Sequence, residues 1–425
     1  MLKGGATTAS GYSSHAEGNE TCASGDNSHA EGCFTTASGT SSHAEGNISV
    51  AYGMSSHAEG NNTYANGYYS HAEGGGTTAS GDSSHAEGAD SIASGEKSHA
   101  EGGGTTASGS YSHAEGYRTY ASTWYSHAEG NNTSAYGSCS HAEGYKTCAS
   151  GANSHAEGYG TRASVDDAHA EGDSTSASNY ASHACGKYNA AMTDGGTFNN
   201  TTGTAFVIGN GTGATSRSNA FSVQYNGIVK AKSTITASTT ADYAEFFEWK
   251  DGNSENEDRV GHFVTLDNDK ILIATDPDQY ILGIVSGEPF VLGHGDCDTW
   301  NGMYLKDEFN RTIYEPAPKM ELDKETGEYK QVLDEDGNIV YEGTRPKINP
   351  DYDPSRTYIS RFDRKEWAPV GMLGVLSVIQ DGTCEVNGYA CCNKDGIATK
   401  CNRTDPGAYR VIAKISNKVV RVIFR

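Results

Sequence analysis

The first 276 residues contain no proline; all nine prolines stand at or after Pro277, so the two halves of the chain differ in kind. Basic residues are scarce as well. Residues 1–186 hold 5 Lys/Arg against 20 Asp/Glu, and the whole chain carries a formal charge of −23. With no basic patch, nucleic acid is not an expected partner. The acidic excess would keep an extended particle soluble. Long apolar runs are missing too: Val370–Ile379 is the longest, the length of a strand and short of the roughly 18–20 residues of a membrane span. The opening MLKGGATTASG shows no secretory pattern, and no membrane insertion is expected. The ten cysteines form no C-x-x-C pair. Cys22, Cys33, Cys139, Cys148 and Cys185 sit at scattered positions and read as free thiols of a reducing compartment. The group Cys384, Cys391, Cys392 and Cys401 matches no zinc spacing, so no metal or other cofactor is expected. No Gly-x-x-x-x-Gly-Lys-Ser/Thr loop occurs.

What the chain does have is a repeat. Histidines fall at His15, His29, His43, His57, His71, His85, His99, His113, His127, His141, His155, His169 and His183, each 14 residues after the last. Two residues after each of the first twelve comes a glutamate: Glu17, Glu31, Glu45, Glu59, Glu73, Glu87, Glu101, Glu115, Glu129, Glu143, Glu157 and Glu171. Cys185 takes the thirteenth place, and Val165 and Asn179 replace the usual glycine in the last copies, as terminal copies of a solenoid do. Numbering each histidine 0, Ala stands at 1, Gly at 3, Thr or Ser at 6, Ala at 8, usually Gly at 10 and Ser at 13.

Seven residues make one short strand and one tight turn, so a copy is two strands, and copies stack at about 4.8 Å. Neighbouring strand residues point to opposite faces. Alanine therefore fills a narrow interior while His and Glu share the outer face. The glycines would supply turns with positive φ, and the Ser/Thr rows would bond turn amides. An alanine interior stabilises little at about 25 cal/mol per Å². A second burial surface is expected, and the His/Glu rows are its candidates: an oligomer ladder in which each His meets a Glu of a neighbouring chain, with a raised imidazole pKa and a lowered carboxyl pKa. Coordination of Zn, Ni or Fe by the imidazoles is an alternative. A row of acid–base sites fits poorly with thirteen equal copies, and an ice-binding threonine row is a further reading.

The 14-residue Ala-x-Gly-x-x-Ser pattern resembles the head repeats of trimeric autotransporter adhesins, with Ser-His-Ala-Glu-Gly where that family has Ser-Val-Ala-Ile-Gly. The resemblance implies a left-handed parallel β-roll packed as a trimer. Ser-His-Ala-Glu-Gly repeats also resemble phage tail and tail-fibre proteins. Beyond the repeat, "GTAFVIGNGTGATSRSNAFSVQYNGIVKA" alternates apolar and polar residues and reads as β-hairpins. It is similar to segments that precede the end domains of phage tail proteins.

In "ADYAEFFEW", Asp242, Glu245 and Trp249 are spaced i, i+3, i+7, which on a helix would put both carboxylates beside an aromatic, with Asp242 near an N-cap. This stretch, with "GHFVTLDNDKI", "YILGIVSGEP", "WAPVGMLGVL", "DGTCEVNG" and "VVRVIFR", resembles the intramolecular-chaperone autoproteolytic domain of phage tail spikes and pre-neck appendage proteins. The resemblance implies a cut between Ala241 and Asp242, with Asp242 and Glu245 as the catalytic pair. Where that family can have Ser before the cut, this chain has Ala241, so a carboxylate-activated water or direct carboxylate attack is the expected chemistry.

Together these readings predict a mainly β protein with little helix: a trimeric parallel β-roll over 1–186, a β-hairpin neck and linker over 187–240, and an autoproteolytic chaperone domain over 241–425. The expected function is a trimeric phage tail spike or tail fibre for host attachment, made in the host cytoplasm and carried on the virion tail. Its expected partners are itself as homotrimer, other phage tail proteins, and a host surface glycan or wall polymer. A bacterial trimeric adhesin is the alternative.

Overall fold

The computed structural model describes residues 2–192, 202–233, 242–276, 278, 280–294, 302–322 and 329–425. Nearly everything described is β; a single 3-10 turn, Arg361–Asp363, is the one helical element among these residues. The chain forms two compact units, residues 1–234 with 316–345, and 235–315 with 346–425.

In the first unit each 14-residue copy gives a five-residue strand, such as His43–Asn47, and a two-residue strand, such as Val50–Ala51. Successive five-residue strands pair in parallel with His opposite His, Ala opposite Ala and Glu opposite Glu. The two-residue strands stack into a second parallel sheet of 13. Alternation works as the sequence implies: the alanines of both sheets, from Ala16 to Ala184, make one continuous buried column. The serine before every histidine except His169 closes a turn as a donor to a carbonyl, and Ser126 and Ser182 also accept from the Thr123 and Asn179 N–H groups. Ser28 Oγ donates to Gly25 O at 2.6 Å and Ser70 Oγ to Gly67 O at 2.7 Å.

The two glycine columns act differently from each other. Gly46, at position 3, has φ +99°. Gly39, at position 10, is not left-handed; a Cβ there would lie 1.9 Å from the Gly53 carbonyl oxygen of the next turn. The left-handed turn positions go instead to residues with side chains, such as Ser41 and Ile48, both at φ 59°. Consecutive turns touch backbone to backbone at both columns, since a Cβ on Gly46 would lie 2.1 Å from Gly60 O; position 10 has this contact without a left-handed φ, and Thr123, Val165 and Asn179 replace its glycine in three copies.

The parallel stack runs past the last histidine. Thr204–Asn210 lies on His183–Lys187 with Phe206 opposite His183, Val207 opposite Ala184 and Ile208 opposite Cys185. "AFVIG" therefore occupies the place of another "SHAEG", with apolar residues where the ladder residues stood. Antiparallel strands Asn219–Gln224 and Val229–Ala231 follow, as the hairpin reading expects.

The second unit is built on one sheet of ten strands: β1 (Asp242–Glu248), β2 (Phe263–Asp267), β3 (Lys270–Ile273), β4 (Gly283–Val285), β5 (Val291–Gly293), β6 (Trp367–Ile379), β7 (Tyr389–Cys392), β8 (Ala398–Cys401), β9 (Tyr409–Lys414) and β10 (Val419–Phe424). The order is β3-β2-β4-β6-β10-β9-β7-β8, with β1 pairing to β6 and β5. The 13-residue β6 is the spine. Its first half carries β1 and β4, and its second half carries β10. Phe263, Ile284, Val378, Val411, Val420 and Val422 are fully buried around it. Cys391 and Cys401 form a disulfide between neighbouring strands, so two of the four clustered cysteines are not free thiols; Cys384 and Cys392 are.

The close approach at position 10 is testable. Gly81→Ala would place a Cβ 1.9 Å from Gly95 O, whereas Gly75 has nothing within 4 Å of an added Cβ and no left-handed φ. Gly81→Ala should destabilise the roll by about 1–3 kcal/mol, the range for overpacking, and Gly75→Ala should leave the melting temperature unchanged. Equal melting temperatures would refute the backbone contact.

Candidate cleavage site and the histidine–glutamate face

The stretch around Asp242 is a strand, not the helix that its i, i+3, i+7 spacing suggests. Tyr243, Phe246 and Phe247 favour a pleated surface. Pairing with β6 runs from Asp242, opposite Gly374, to Glu248, opposite Trp367, with one register shift between Tyr243 and Ala244. Three residues is an odd separation in a strand, so Asp242 and Glu245 leave β1 on opposite faces. Exposure follows suit: Asp242 (6%), Ala244 (0%) and Phe246 (2%) are buried, while Tyr243 is 36% exposed.

On the buried face, Asp242 Oδ1 accepts a hydrogen bond from the Phe290 backbone N–H at 3.2 Å. Its Oδ2 is shielded from solvent and has no hydrogen-bond partner. Gly371 leaves room for it: a Cβ there would sit 3.2 Å from Oδ2 and 2.3 Å from a Leu376 methyl. A cavity of about 430 Å³ opens at this carboxyl, walled by Asp242, Val260, Ser286, Gly287, Glu288, Val375, Leu376, Ser377 and Arg421. On the other face, Glu245 accepts from the Tyr243 hydroxyl, which raises the phenol pKa. His294 Nδ1 donates to the Phe246 carbonyl at 3.1 Å. Ala241, on the other side of the expected scissile bond, lies outside the described residues.

The single chain thus does not bring Asp242 and Glu245 together. The cavity that opens at Asp242 is walled as well by charged residues that sequence reasoning missed, Arg421 and Glu288. One signal was present: in "VVRVIFR" a single cation interrupts an apolar strand.

The His/Glu face is the second candidate. Imidazoles of successive turns stack with centroids 4.8 Å apart, as for His29 and His43. In ten turns Nε2 approaches the glutamate of the preceding turn of the same chain, from 3.1 Å (His71–Glu59) to 3.8 Å (His43–Glu31), while His15 and His29 approach Glu17 and Glu31 of their own turns. The pairing is therefore made within the chain, between turns. Groups such as His43, Glu45 and His57 gather their ligand atoms within 4.8 Å of one another, the donor types a transition ion takes.

The pKa directions depart from the expected uniform pairing. Burial pushes His57, His85, His113 and His141 below the ordinary imidazole value, and the stacked neighbours' charge pushes the same way. The glutamates alternate. A hydrogen bond with Glu87 raises Glu101 to about 7, and hydrogen bonds with Glu143 raise Glu129 and Glu157 to about 7. The same contacts lower Glu87 and Glu143. Carboxylates one strand apart repel one another, so alternate members hold their proton to higher pH, hydrogen-bonded to their neighbours.

Against this geometry stand the comparisons with known proteins. A family model described as "Peptidase_G2, IMC autoproteolytic cleavage domain" matches residues 192–418. That is more than half of the chain, and the chain belongs to this family. The pre-neck appendage protein of Bacillus phage B103 is 38% identical over 175 residues, 41% of this chain and 18% of that protein. The preneck appendage protein of Bacillus phage PZA is 37% identical over 179 residues, 42% of this chain and 18% of that protein. The chain thus spans under a fifth of the length of the curated relatives it matches. Among solved structures, the C-terminal fragment of bacteriophage phi29 gene product 12 is 29% identical with a TM-score of 0.32, covering 43% of this chain and 100% of that one.

The alternating protonation has a measurable consequence. A glutamate raised to about 7 stabilises the fold fully below its ordinary value near 4.5, and that contribution is lost as pH rises through about 7. A lowered histidine contributes fully above its ordinary 6.5 and loses it as pH falls. The lowered glutamates also lose their contribution as pH falls. The melting temperature of the repeat region should be highest in mildly acidic buffer and fall as pH rises through 7. A flat profile between about pH 5 and 9 would contradict the column, and sensitivity to a chelator without a pH response would favour bound metal.

Proposed function

We propose that this chain is a trimeric phage tail-spike or tail-fibre protein for host attachment, whose C-terminal domain guides trimer assembly and then cuts itself off before Asp242. The observation that carries this reading is family membership, to which the buried Asp242 carboxyl at the mouth of a cavity adds a site. The relatives' names, pre-neck appendage proteins of phages, support a place on the virion tail beside other tail proteins. In this reading residues 1–186 are the trimeric roll, packed through the His/Glu rows, 187–240 the neck, and 241–425 the releasable domain. A host glycan or wall polymer is the attachment target. The autoproteolytic match weighs against the bacterial-adhesin alternative, which shares only the repeat pattern.

Asp242 and Glu245 remain the proposed catalytic pair. Because they leave β1 on opposite faces, Glu245 of one chain acts at the Asp242 bond of another. Cutting then waits for assembly, and removal of the chaperone makes assembly kinetically one-way.

Denaturing gels after co-expression test this. The unmutated chain should give pieces that meet at Ala241–Asp242, with the new N-terminus at Asp242 by mass spectrometry. Asp242→Ala and Glu245→Ala should each stay whole near 44.8 kDa. Mixed assemblies of the two variants should recover cutting of the Glu245→Ala chain alone. An assembled, unmutated chain that stays whole would sink the proposal, and absence of recovery in mixed assemblies would sink the exchange of Glu245 between chains.

A further inference from the structure

The imidazole row leaves a need that the single chain does not meet. Eleven of its thirteen Nε2 atoms are shielded from solvent and lack a hydrogen-bond partner. Only those of His71 and His99 reach a carboxylate closely enough to bond it. A polar atom hidden from water without a partner is destabilising, and here the cost recurs in nearly every turn. Beside these nitrogens runs a column of twelve carboxyl groups one strand spacing apart, whose negative charges repel. A cation lying between the two rows answers both needs.

We propose that the His/Glu face binds divalent transition ions, of the Zn²⁺ or Ni²⁺ type, between turns of one chain. Bond lengths decide whether an ion fits. Imidazole nitrogen and carboxylate oxygen each bind such an ion at about 2.1 Å, so a pair held at about 90–110° on one ion lies about 3.0–3.4 Å apart. His71 Nε2 stands 3.1 Å from Glu59 Oε1, and His99 and His141 stand 3.3 Å from Glu87 and Glu129. His99 also has Glu101 of its own turn at 3.9 Å, a second carboxylate beside the same nitrogen. Successive imidazoles cannot share an ion. Their rings are parallel with centroids 4.8 Å apart, beyond the about 4.2 Å that two nitrogens on one ion span. Each ion therefore takes one histidine and the carboxylates of two turns, with water in the remaining positions. Mixed nitrogen and oxygen ligands favour Zn²⁺ and Ni²⁺ over Mg²⁺ and Ca²⁺, which prefer oxygen alone. Charge sets the number. One ion per turn would leave an excess positive charge on every turn, whereas one ion for every two turns neutralises the column. The twelve glutamates thus hold about six ions per chain, spaced two turns or about 9.6 Å apart.

Partner chains of a trimer could instead supply the missing bonds, so the experiment must separate ion from partner. The full chain is expressed with nickel in the medium, so that ions are present as it assembles. It is then treated with a thiol-blocking reagent and dialysed against micromolar NiCl2 and millimolar MgCl2. Elemental analysis should find nickel at half the number of glutamates. Anomalous scattering from crystals of this material should place the nickel beside the Nε2 row. Glu87→Gln together with Glu101→Gln, which keeps the shape of both side chains, should clear the nickel beside His99 and leave that beside His71 and His127. Less than one ion per chain, or nickel confined to other parts of the molecule, would overturn the proposal and assign the nitrogens to partner chains. Nickel beside His99 undiminished in the double variant would overturn the part given to the carboxylates. Nickel at full occupancy on every histidine would overturn the two-turn spacing.

Discussion

Backbone contact between successive turns is the constraint on which the first half of this protein depends. Each turn sits one strand spacing above the last, and at Gly39 and its glycine counterparts an added Cβ would meet the next turn's carbonyl, while Thr123, Val165 and Asn179 are the three copies where a side chain stands. That contact fixes the period at 14 residues, since one residue more or less would move every alanine out of the interior. From the fixed period the rest follows: alanines in one buried column, imidazoles stacked face to face, carboxyls close enough to share protons. The ladder is thus a product of the spacing as much as of the residues placed in it.

The second half obeys a different rule. Its spine is the long strand β6, which serves β1 and β4 with one half and β10 with the other. Asp242 reaches its cavity because β1 pairs along that spine and because Gly371 leaves room beside it. A carboxyl at the very start of a strand is an efficient place for a cleavage site. The bond proposed to be cut precedes the strand, so the proposed cut need not break the sheet that positions Asp242.

Much of this was legible in the sequence, and what was not has physical causes. The roll could be read because its periods of 14 and 2 leave a single consistent placement for alanine. The family could be read from the ordered stretches between "ADYAEFFEW" and "VVRVIFR". The helix suggested for Asp242–Trp249 was wrong because i, i+3, i+7 spacing and β-forming aromatics coexist in that stretch, and tertiary pairing with β6 decided between them. Position-10 glycine was misjudged as a φ requirement, since a close approach between turns leaves no local mark. The alternating glutamate pKa directions and the cavity that Arg421 and Asp242 both line depend on through-space neighbours that no spacing encodes.

The rung formed by Thr204–Asn210 adds one more consequence. Thirteen near-identical rungs carry no positional information: two copies laid face to face and offset by one rung would find the same partners almost everywhere. The offset is detected only at the end, where Phe206 and Ile208 replace imidazole and carboxylate. There a slipped copy would set an aromatic ring against a charged row. In the proposed trimer the apolar rung would work as the stop of a zipper, a mark that gives an otherwise featureless scale its zero.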